Sequence, residues 1–357
     1  MRADDRPVTF QDIGGWPGIL GRLMAGEDLD AAEAACALDQ VLAGDTTDAQ
    51  IAAFVAALRT KGETVEEMAG LVRAMLARAE PLSIPGDLVD TCGTGGDRSG
   101  SINVSTAAAF VVAGAGARVC KHGGRAASSR AGSADVLEAL GVAFDLGPAG
   151  VARCVEQVGM GFCFAPRFHP AMRFVIPVRR ELGVATVFNF LGPLANPARA
   201  RHQVVGVGDP AMAEKMVGVL VANGCRRAWV VHGDDGLDEL TTTGTSTVYE
   251  VDADAQSTVR RLTVDAESLG LPRAGAADLL GGDAATNADA VRRVLDGAPG
   301  PHRDIVVLNA GAGLVVAGVA ADLAEGVARA AASIDEGRAR GVLDGLVAAS
   351  QEAKAGE

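Results

Sequence analysis

The residues best equipped for chemistry fall in two glycine- and hydroxyl-rich stretches joined by an apolar run. Gly93-Thr-Gly-Gly-Asp97 follows a short apolar segment, as a strand entering a loop does. Glycines let backbone N–H groups approach an anion closely, and successive N–H groups form a concave nest for it. No Gly-Lys-Ser/Thr closes the loop, so it is not a Walker A motif, and Arg98 breaks a G-x-G-x-x-G pattern. A tight strand-to-helix turn would use the same residues. Asn103-Val-Ser-Thr106 then opens an apolar helix expected to start near Ala107. This is the pattern of an N-cap, and equally of an anion site, because helix N-termini bind phosphate. A serine hydroxyl there can also complete a Mg²⁺ shell, since that ion takes oxygen ligands and keeps several waters. The next strand-like run ends in Lys121-His-Gly-Gly-Arg-Ala-Ala-Ser-Ser129, with Ser133 beyond. Two cations, backbone N–H groups and several hydroxyls are the mixture a polyphosphate needs.

The acidic counterpart is His232-Gly-Asp-Asp-Gly-Leu-Asp-Glu-Leu240. Most such runs are solvated loops. This one follows an apolar strand and precedes Thr241 to Thr243, which places it on the rim that carries the phosphate loops. Asp238 and Glu239 are adjacent, so they bear on one point only if the backbone turns there. A carboxylate pair facing a phosphate loop would need a divalent cation between them. Gly206-Val-Gly-Asp-Pro-Ala211 loosely fits a dinucleotide fingerprint, but Pro210 removes an N–H from the turn that would cradle a pyrophosphate.

Several elements must position these residues. Asp30-Ala-Ala-Glu33, Thr47-Asp-Ala-Gln50 and Thr64-Val-Glu-Glu67 each fit a capping box, and Gly44 and Gly62 suit helix C-terminal positions. Apolar residues recur at helical spacing, as in Ile51, Phe54, Val55 and Leu58. Pro81 and Pro85 end this block, so the first eighty or so residues are expected to be a small all-helical unit. From Asp87 the pattern changes to short apolar runs followed by glycine loops. LVDTCG, ARVCKHG, RAWVVHG and RDIVVLNAG are each expected to be a strand delivering polar residues beyond its carboxyl end, in a largely parallel sheet covered by helices. The segment from Phe168 to Pro197 carries four prolines around an expected helix from Val178 to Leu182. It is expected to leave the sheet domain, return to the helical unit and act as a hinge. The last residues, QEAKAGE, are expected to fray.

The formal net charge of −13 and a pI near 4.9 argue against a general nucleic-acid or anionic-membrane surface. An anionic ligand must then be held by a local, preorganised site. Aromatic residues make up only 4% of the chain, so Ala, Val, Leu and Gly must fill the core, which favours close helix packing. The six cysteines include no C-x-x-C pair, and the N-terminus lacks the basic and apolar regions of a signal peptide. These features lead to the expectation of a reduced, cytoplasmic protein. The longest apolar runs are too short to span a bilayer.

Taken together, the motifs resemble those of the anthranilate phosphoribosyltransferase family. The similar pieces are GTGGD at 93–97, NVST at 103–106, KHGGRAASS at 121–129, AGSADVLEALG at 131–141, FHPAMR at 168–173, VRRELG at 178–183, FNFLGPLANP at 188–197 and DGLDELT at 235–241. They cover most of the chain in the family's order. The resemblance implies an α/β protein of the nucleoside-phosphorylase-like phosphoribosyltransferase fold, with a small all-helical N-terminal domain and a large α/β domain around a mostly parallel sheet. The expected division is 1–84, completed by about 168–200, for the helical domain, and 85–167 with 201–357 for the catalytic one. It further implies a homodimer formed through the helical domain.

The reaction implied by the resemblance joins anthranilate to 5-phosphoribosyl 1-diphosphate (PRPP) and releases pyrophosphate, with Mg²⁺, in tryptophan biosynthesis. Carried over position by position, Gly93, Gly96, Asp97, Ser101, Asn103, Ser105, Thr106, Lys121, Gly123, Arg125, Ser129 and Ser133 would hold PRPP. Ser105, Asp238 and Glu239 would hold the metal. Gly93, His122, Gly124 and Arg179 would face anthranilate, with the Arg179 guanidinium suited to its carboxylate. No general base is assigned, because an aromatic amine is already uncharged at neutral pH. This chain departs from the family at Gly124, where the motif has Asn; Phe174 also stands where relatives often carry a polar residue. A relative using another aromatic amine or base is therefore an alternative. A pyrimidine nucleoside phosphorylase is disfavoured by the Asp238-Glu239 pair, and a non-catalytic nucleic-acid-binding relative by the pI.

Overall fold

The computed structural model describes residues 8–97, 99–126, 130–253, 255 and 259–357. Four helices open the chain: α1 (Gly15–Met24), α2 (Ala31–Ala43), α3 (Asp48–Lys61) and α4 (Val65–Ala77). All three expected capping boxes form. Asp30, Thr47 and Thr64 accept N–H groups of the first turns, and Glu33, Gln50 and Glu67 reach back. Each such cap contributes about 1 kcal/mol. Gly44 closes α2 at φ 86° and Gly62 closes α3 at φ 91°. Glu67 does more than cap. Fully buried, it also accepts the Leu29 N–H at 3.0 Å and the Lys61 ammonium at 3.0 Å, tying three segments together.

The rest of the chain runs β1 (Val89–Gly93), α5 (Val104–Gly114), β2 (Val119–Gly123), α6 (Ser133–Leu140), α7 (Pro148–Val158) and β3 (Met160–Phe164). It then leaves the sheet through α8 (Ala165–Phe168), α9 (Ile176–Leu182) and α10 (Phe188–Leu191). It returns as β4 (His202–Gly206), α11 (Pro210–Ala222), β5 (Arg227–Gly233), β6 (Thr245–Asp252) and β7 (Val259–Asp265). Four helices finish it: α12 (Ala284–Leu295), α13 (Pro301–Val316), α14 (Leu323–Asp335) and α15 (Arg338–Ala355).

The seven strands lie in the order β3-β2-β1-β4-β5-β6-β7. The first five are parallel, and β6 and β7 are antiparallel. Strand order reverses between β1 and β4, the point where an open α/β sheet leaves a crevice beyond its carboxyl edge. One core packs α5, α13 and the C-terminal helices on the sheet. A second joins α1 to α4, residues 175–195, α11 and sheet residues such as Val205 and Val230.

Three expectations are corrected. RDIVVLNAG is not a strand but the heart of α13, with Pro301 at its first turn. A continuous apolar run fits a buried helix as well as a buried strand, and here it belongs to a sixteen-residue helix, too long for a strand. Gly311 and Gly313 let α13 pack tightly, since a Cβ on Gly313 would lie 2.6 Å from Val112 of α5. Helix α5 begins at Val104 rather than near Ala107. The tail is helical to Ala355, and its Glu357 carboxylate accepts the Gly147 N–H at 2.6 Å.

The helical unit has its own close approach. Gly70 of α4 faces α2, and a Cβ there would collide with the Ala31 carbonyl. A backbone atom cannot swing aside as a side chain can. Gly70→Ala is therefore expected to destabilise the protein by about 1–3 kcal/mol, although the change favours helix by itself. The shift in urea midpoint checks it.

Candidate active site

A cleft of about 430 Å³ opens at the carboxyl ends of β1 and β2, walled by the loops after β1, β2 and β5 and by residues of α9 and α10. It gathers Gly93, Gly96, Asp97, Ser101, Asn103, Ser105, Thr106, Lys121, His122, Gly123, Gly124, Arg125, Ser133, Arg179, Asp238 and Glu239 around one space. Ser129 lies outside the described residues.

The acidic pair is held on two different anchors. Asp238 Oδ2 accepts the Gly95 N–H at 2.7 Å, and Glu239 Oε1 accepts the Ser105 N–H at 3.0 Å. The second contact puts a carboxylate on the N-terminal turn of α5, where the helix dipole favours negative charge. Gly93 and Gly206 are register partners on β1 and β4, and Asp238 lies over both. A Cβ on Gly93 would fall 2.5 Å from Asp238 Oδ2, and one on Gly206 would collide with the Asp238 carbonyl. Gly206 is thus explained by the acidic loop rather than by a dinucleotide. The neighbouring Asp235 braces the loop internally, accepting from Leu237 N–H at 3.1 Å and Thr241 Oγ1 at 2.8 Å.

Burial pushes the Asp238 carboxyl well above the usual range, and the charge of Glu239 adds to it. Burial likewise pushes Glu239 up to about 7, against the attraction of Lys121. Lys121 is 2% exposed, donates to the Thr91 carbonyl, and meets Ser105 Oγ at 3.2 Å. Two buried carboxylates beside one ammonium leave a deficit of positive charge. Their oxygens and the Ser105 hydroxyl are hard donors, so the residues present fit a divalent cation such as Mg²⁺.

Other expected residues are placed less simply. Asn103 stands at the N-cap of α5 but makes no cap; its Nδ2 donates to the Ala131 carbonyl at 3.0 Å and its Oδ1 accepts from Asn287 at 2.8 Å. Asn103 therefore ties the two phosphate-type loops together. Arg125 borders the cleft, but its guanidinium is paired with Asp135 at 2.6 Å and Glu138 at 2.9 Å. The Ser133 hydroxyl donates to the Gly124 carbonyl at 3.3 Å, packed so close that Gly123 has no room for a Cβ. Ser101 forms a bridge to Leu280. At Gly124 the backbone is not left-handed, and the nearest atom to a Cβ would be that of Ala165 at 4.0 Å. Phe174 lies outside the cleft, with its ring against Gly44.

At the other end of the cleft Arg179 is desolvated, with Asn189 Oδ1 at 3.4 Å and the Phe188 ring 5.8 Å from its guanidinium carbon. His122 Nδ1 lies 3.1 Å from the Gly192 carbonyl, which makes that nitrogen the donor; Nε2 is buried and has no partner among the described residues. Burial pulls the His122 pKa down to about 3, with the ring of His169 5.2 Å away adding to the effect.

Four residues went unnoticed in the sequence. Asn309 of α13 grips both the N–H and the carbonyl of Leu240, each at 2.9 Å, and so fixes the acidic loop from behind. Asn287 braces Asn103. Asp90 accepts the His122 N–H at 3.1 Å and the Asn196 amide at 2.8 Å. The available signal was an acid inside an apolar strand run, LVDTCG, which is costly unless hydrogen-bonded.

Fold and cleft together define a transferase class that pairs a helical bundle with an α/β domain. The chain matches a glycosyl transferase family helical bundle domain over residues 17–79 and the same family's a/b domain over residues 85–340. It is 56% identical to anthranilate phosphoribosyltransferase of a Nocardioides species, across 94% of this chain and 98% of that one. The Roseiflexus castenholzii enzyme of the same name is 54% identical, across 92% and 96%. The chain belongs to the anthranilate phosphoribosyltransferase family. Among solved structures, the Thermus thermophilus enzyme is 44% identical and superposes with a TM-score of 0.88, covering 93% of this chain and 99% of that one. The Saccharomyces cerevisiae enzyme in complex with PRPP and Mg is 26% identical, with a TM-score of 0.85 over 94% and 98%.

The buried imidazole has a measurable consequence. Its folded pKa lies below the ordinary 6.5, so the unfolded chain takes up a proton that the native state refuses. The stability it contributes is present above pH 6.5 and is lost as pH falls toward 3. Between pH 6.5 and 5, wild type should lose about 1.4 kcal/mol per pH unit more than His122→Gln, read from urea midpoints. The Asp238 loop makes a second prediction. Gly206→Ala should displace it and lower PRPP-dependent turnover by about tenfold or more, while circular dichroism stays near wild type.

Proposed function

We propose that the protein transfers the 5-phosphoribosyl group of PRPP to the amine of anthranilate, giving N-(5-phosphoribosyl)anthranilate and pyrophosphate, as a step of tryptophan biosynthesis. The observation carrying this reading is one cleft that sets Lys121, Ser105 and the Gly93–Asp97 loop opposite Asp238 and Glu239, with Arg179 at its far end. The donor half would seat PRPP on the N–H groups of 93–97 and on Asn103, Thr106, Lys121, Gly123 and Ser133. Asp238, Glu239 and Ser105 would hold Mg²⁺, which when bound neutralises the pyrophosphate charge. The guanidinium of Arg179 would take the anthranilate carboxylate, and His122 would form the pocket wall and accept a hydrogen bond at Nε2.

The chemistry follows from charge. The C1–O bond of PRPP breaks toward an oxocarbenium-like ribosyl as pyrophosphate gains negative charge. Lys121 and the N–H nest would stabilise that charge. The uncharged aromatic amine attacks C1 directly, and the N-substituted ammonium that forms is acidic enough to lose its proton to solvent or to the departing pyrophosphate, so no strong general base is demanded and His122 is not assigned as one. Arg125 must leave Asp135 and Glu138 to reach a phosphate, which assigns it to the ligand-bound state.

We further divide the chain into a helical unit, 1–84 with about 168–200, and a catalytic unit, 85–167 with 201–357, closing about the crossing segment to exclude water. Met24, Ile176 and Val184 are exposed apolar residues of the helical unit, which supports a homodimer formed there. Six free thiols suit the reducing cytoplasm, and among the described residues no helix is long and apolar enough to cross a membrane.

Purified protein with PRPP and Mg²⁺ is expected to consume anthranilate, followed as loss of its fluorescence; no turnover at high enzyme concentration would refute the assignment. Asp238→Asn combined with Glu239→Gln should abolish Mg²⁺-dependent turnover with an unchanged circular dichroism spectrum. Gly124→Asn has room and an ordinary backbone conformation, and should raise anthranilate turnover by about threefold or more, as a restored hydrogen bond would.

A further inference from the structure

At the Arg179 end of the cleft one carboxamide is fixed in orientation and only half engaged. Asn189 lies on the short helix α10, and its place is set twice by Thr186. Its backbone N–H donates to the Thr186 carbonyl at 3.0 Å, and its Oδ1 accepts the Thr186 N–H at 3.0 Å. Phe188, Phe190 and Leu191 beside it are buried in the second core, which holds the turn in position. The same Oδ1 receives Arg179 Nη2 at 3.4 Å. Two donors on one oxygen decide which end of the amide is which. They leave Nδ2 as the end without a partner among the described residues, and it keeps solvent access on a residue that lines the cleft.

The other carboxamides of the cleft are committed. Asn103 Nδ2 donates to the Ala131 carbonyl and Asn287 Nδ2 to Asn103. Position 124 is glycine and offers no side-chain amide. Arg179 gives the free Nδ2 its meaning. Burial works against the charge of that guanidinium, and among the described residues no carboxylate offsets it. An aspartate at 189 could accept the same two hydrogen bonds, but it would also pair with the guanidinium and neutralise it. The uncharged amide orients Arg179, leaves its charge free, and places an N–H donor beside it. A carboxylate meeting both groups finds a donor for each oxygen. A neutral amide in its place would bring N–H against N–H.

We infer that Asn189 determines acceptor specificity, aiming Arg179 and giving a second hydrogen bond to the acceptor's carboxylate. The inference rests on the transfer to anthranilate proposed above and adds to it the residue that, with Arg179, selects a carboxylate over a neutral group of the same shape.

Steady-state kinetics of the full-length protein with PRPP, Mg²⁺ and anthranilate, with 2-aminobenzamide as a competitor, test this. Asn189→Asp keeps both hydrogen bonds of Oδ1. It should raise KM for anthranilate by about tenfold or more, while KM for PRPP and the inhibition constant of 2-aminobenzamide each change by less than about threefold. A generally loosened pocket would weaken anthranilate and 2-aminobenzamide alike. Asn189→Ala should raise KM for anthranilate by about threefold or more, and it serves as the test if Asn189→Asp fails to fold. If wild type converts anthranilate but the variants keep its KM, or weaken both compounds equally, this inference is overturned and the reaction stands. If wild type does not convert anthranilate, the reaction and the inference fall together.

Discussion

Two carboxylates are held out of water at the carboxyl edge of the sheet, and most of the site is built to keep them there. Asp238 and Glu239 take N–H donors from Gly95 and Ser105, and one ammonium, Lys121, lies beside them. That arrangement costs desolvation that a single lysine does not offset, which is why burial drives both carboxyl groups upward. A site with spare buried negative charge made of hard oxygen donors suits a cation. The same constraint explains residues with no chemistry of their own. Gly93 and Gly206 leave space for Asp238, Asp235 stiffens its loop, and Asn309 anchors the next residue from a helix behind the sheet.

The fold supplies the place for this pair. Because β1 neighbours β4, the loop after β1 and the loop after β5 face each other across the reversal in strand order. The chain between β3 and β4 travels out to the helical unit before returning, and it carries Arg179 and Asn189 to the far side of the cleft. The two ends of the cleft thus rest on different parts of the chain, the sheet loops and the segment between β3 and β4.

Small residues make the required closeness possible. With few aromatic rings, helices meet over glycine and alanine, as α13 meets α5 and α14 through Gly311, Gly313 and Gly326. Such contacts tolerate little added volume, so the core is rigid where Asn309 must be placed and where α5 presents its first turn.

What the sequence alone determined is what short-range chemistry dictates. Capping boxes at Asp30, Thr47 and Thr64, the left-handed glycine at Gly44 and the glycine loops after β1 and β2 depend on residues within a few positions, and all were legible. The motif loops that form the cleft were legible for the same reason. Tertiary structure decided the remainder. RDIVVLNAG became a helix because an apolar run carries no period to tell a buried strand from a buried helix. The link from Asn287 to Asn103 spans 184 residues, and Asn309 reaches the acidic loop across 69. Asp238 and Glu239 meet the glycine loop after β1 only because β4 and β5 stack beside β1. Arg125 was expected at a phosphate, yet its guanidinium rests on two acids of α6. Local preference names the groups; which groups share one desolvated space is set by strand order and by which side chains find partners at long range.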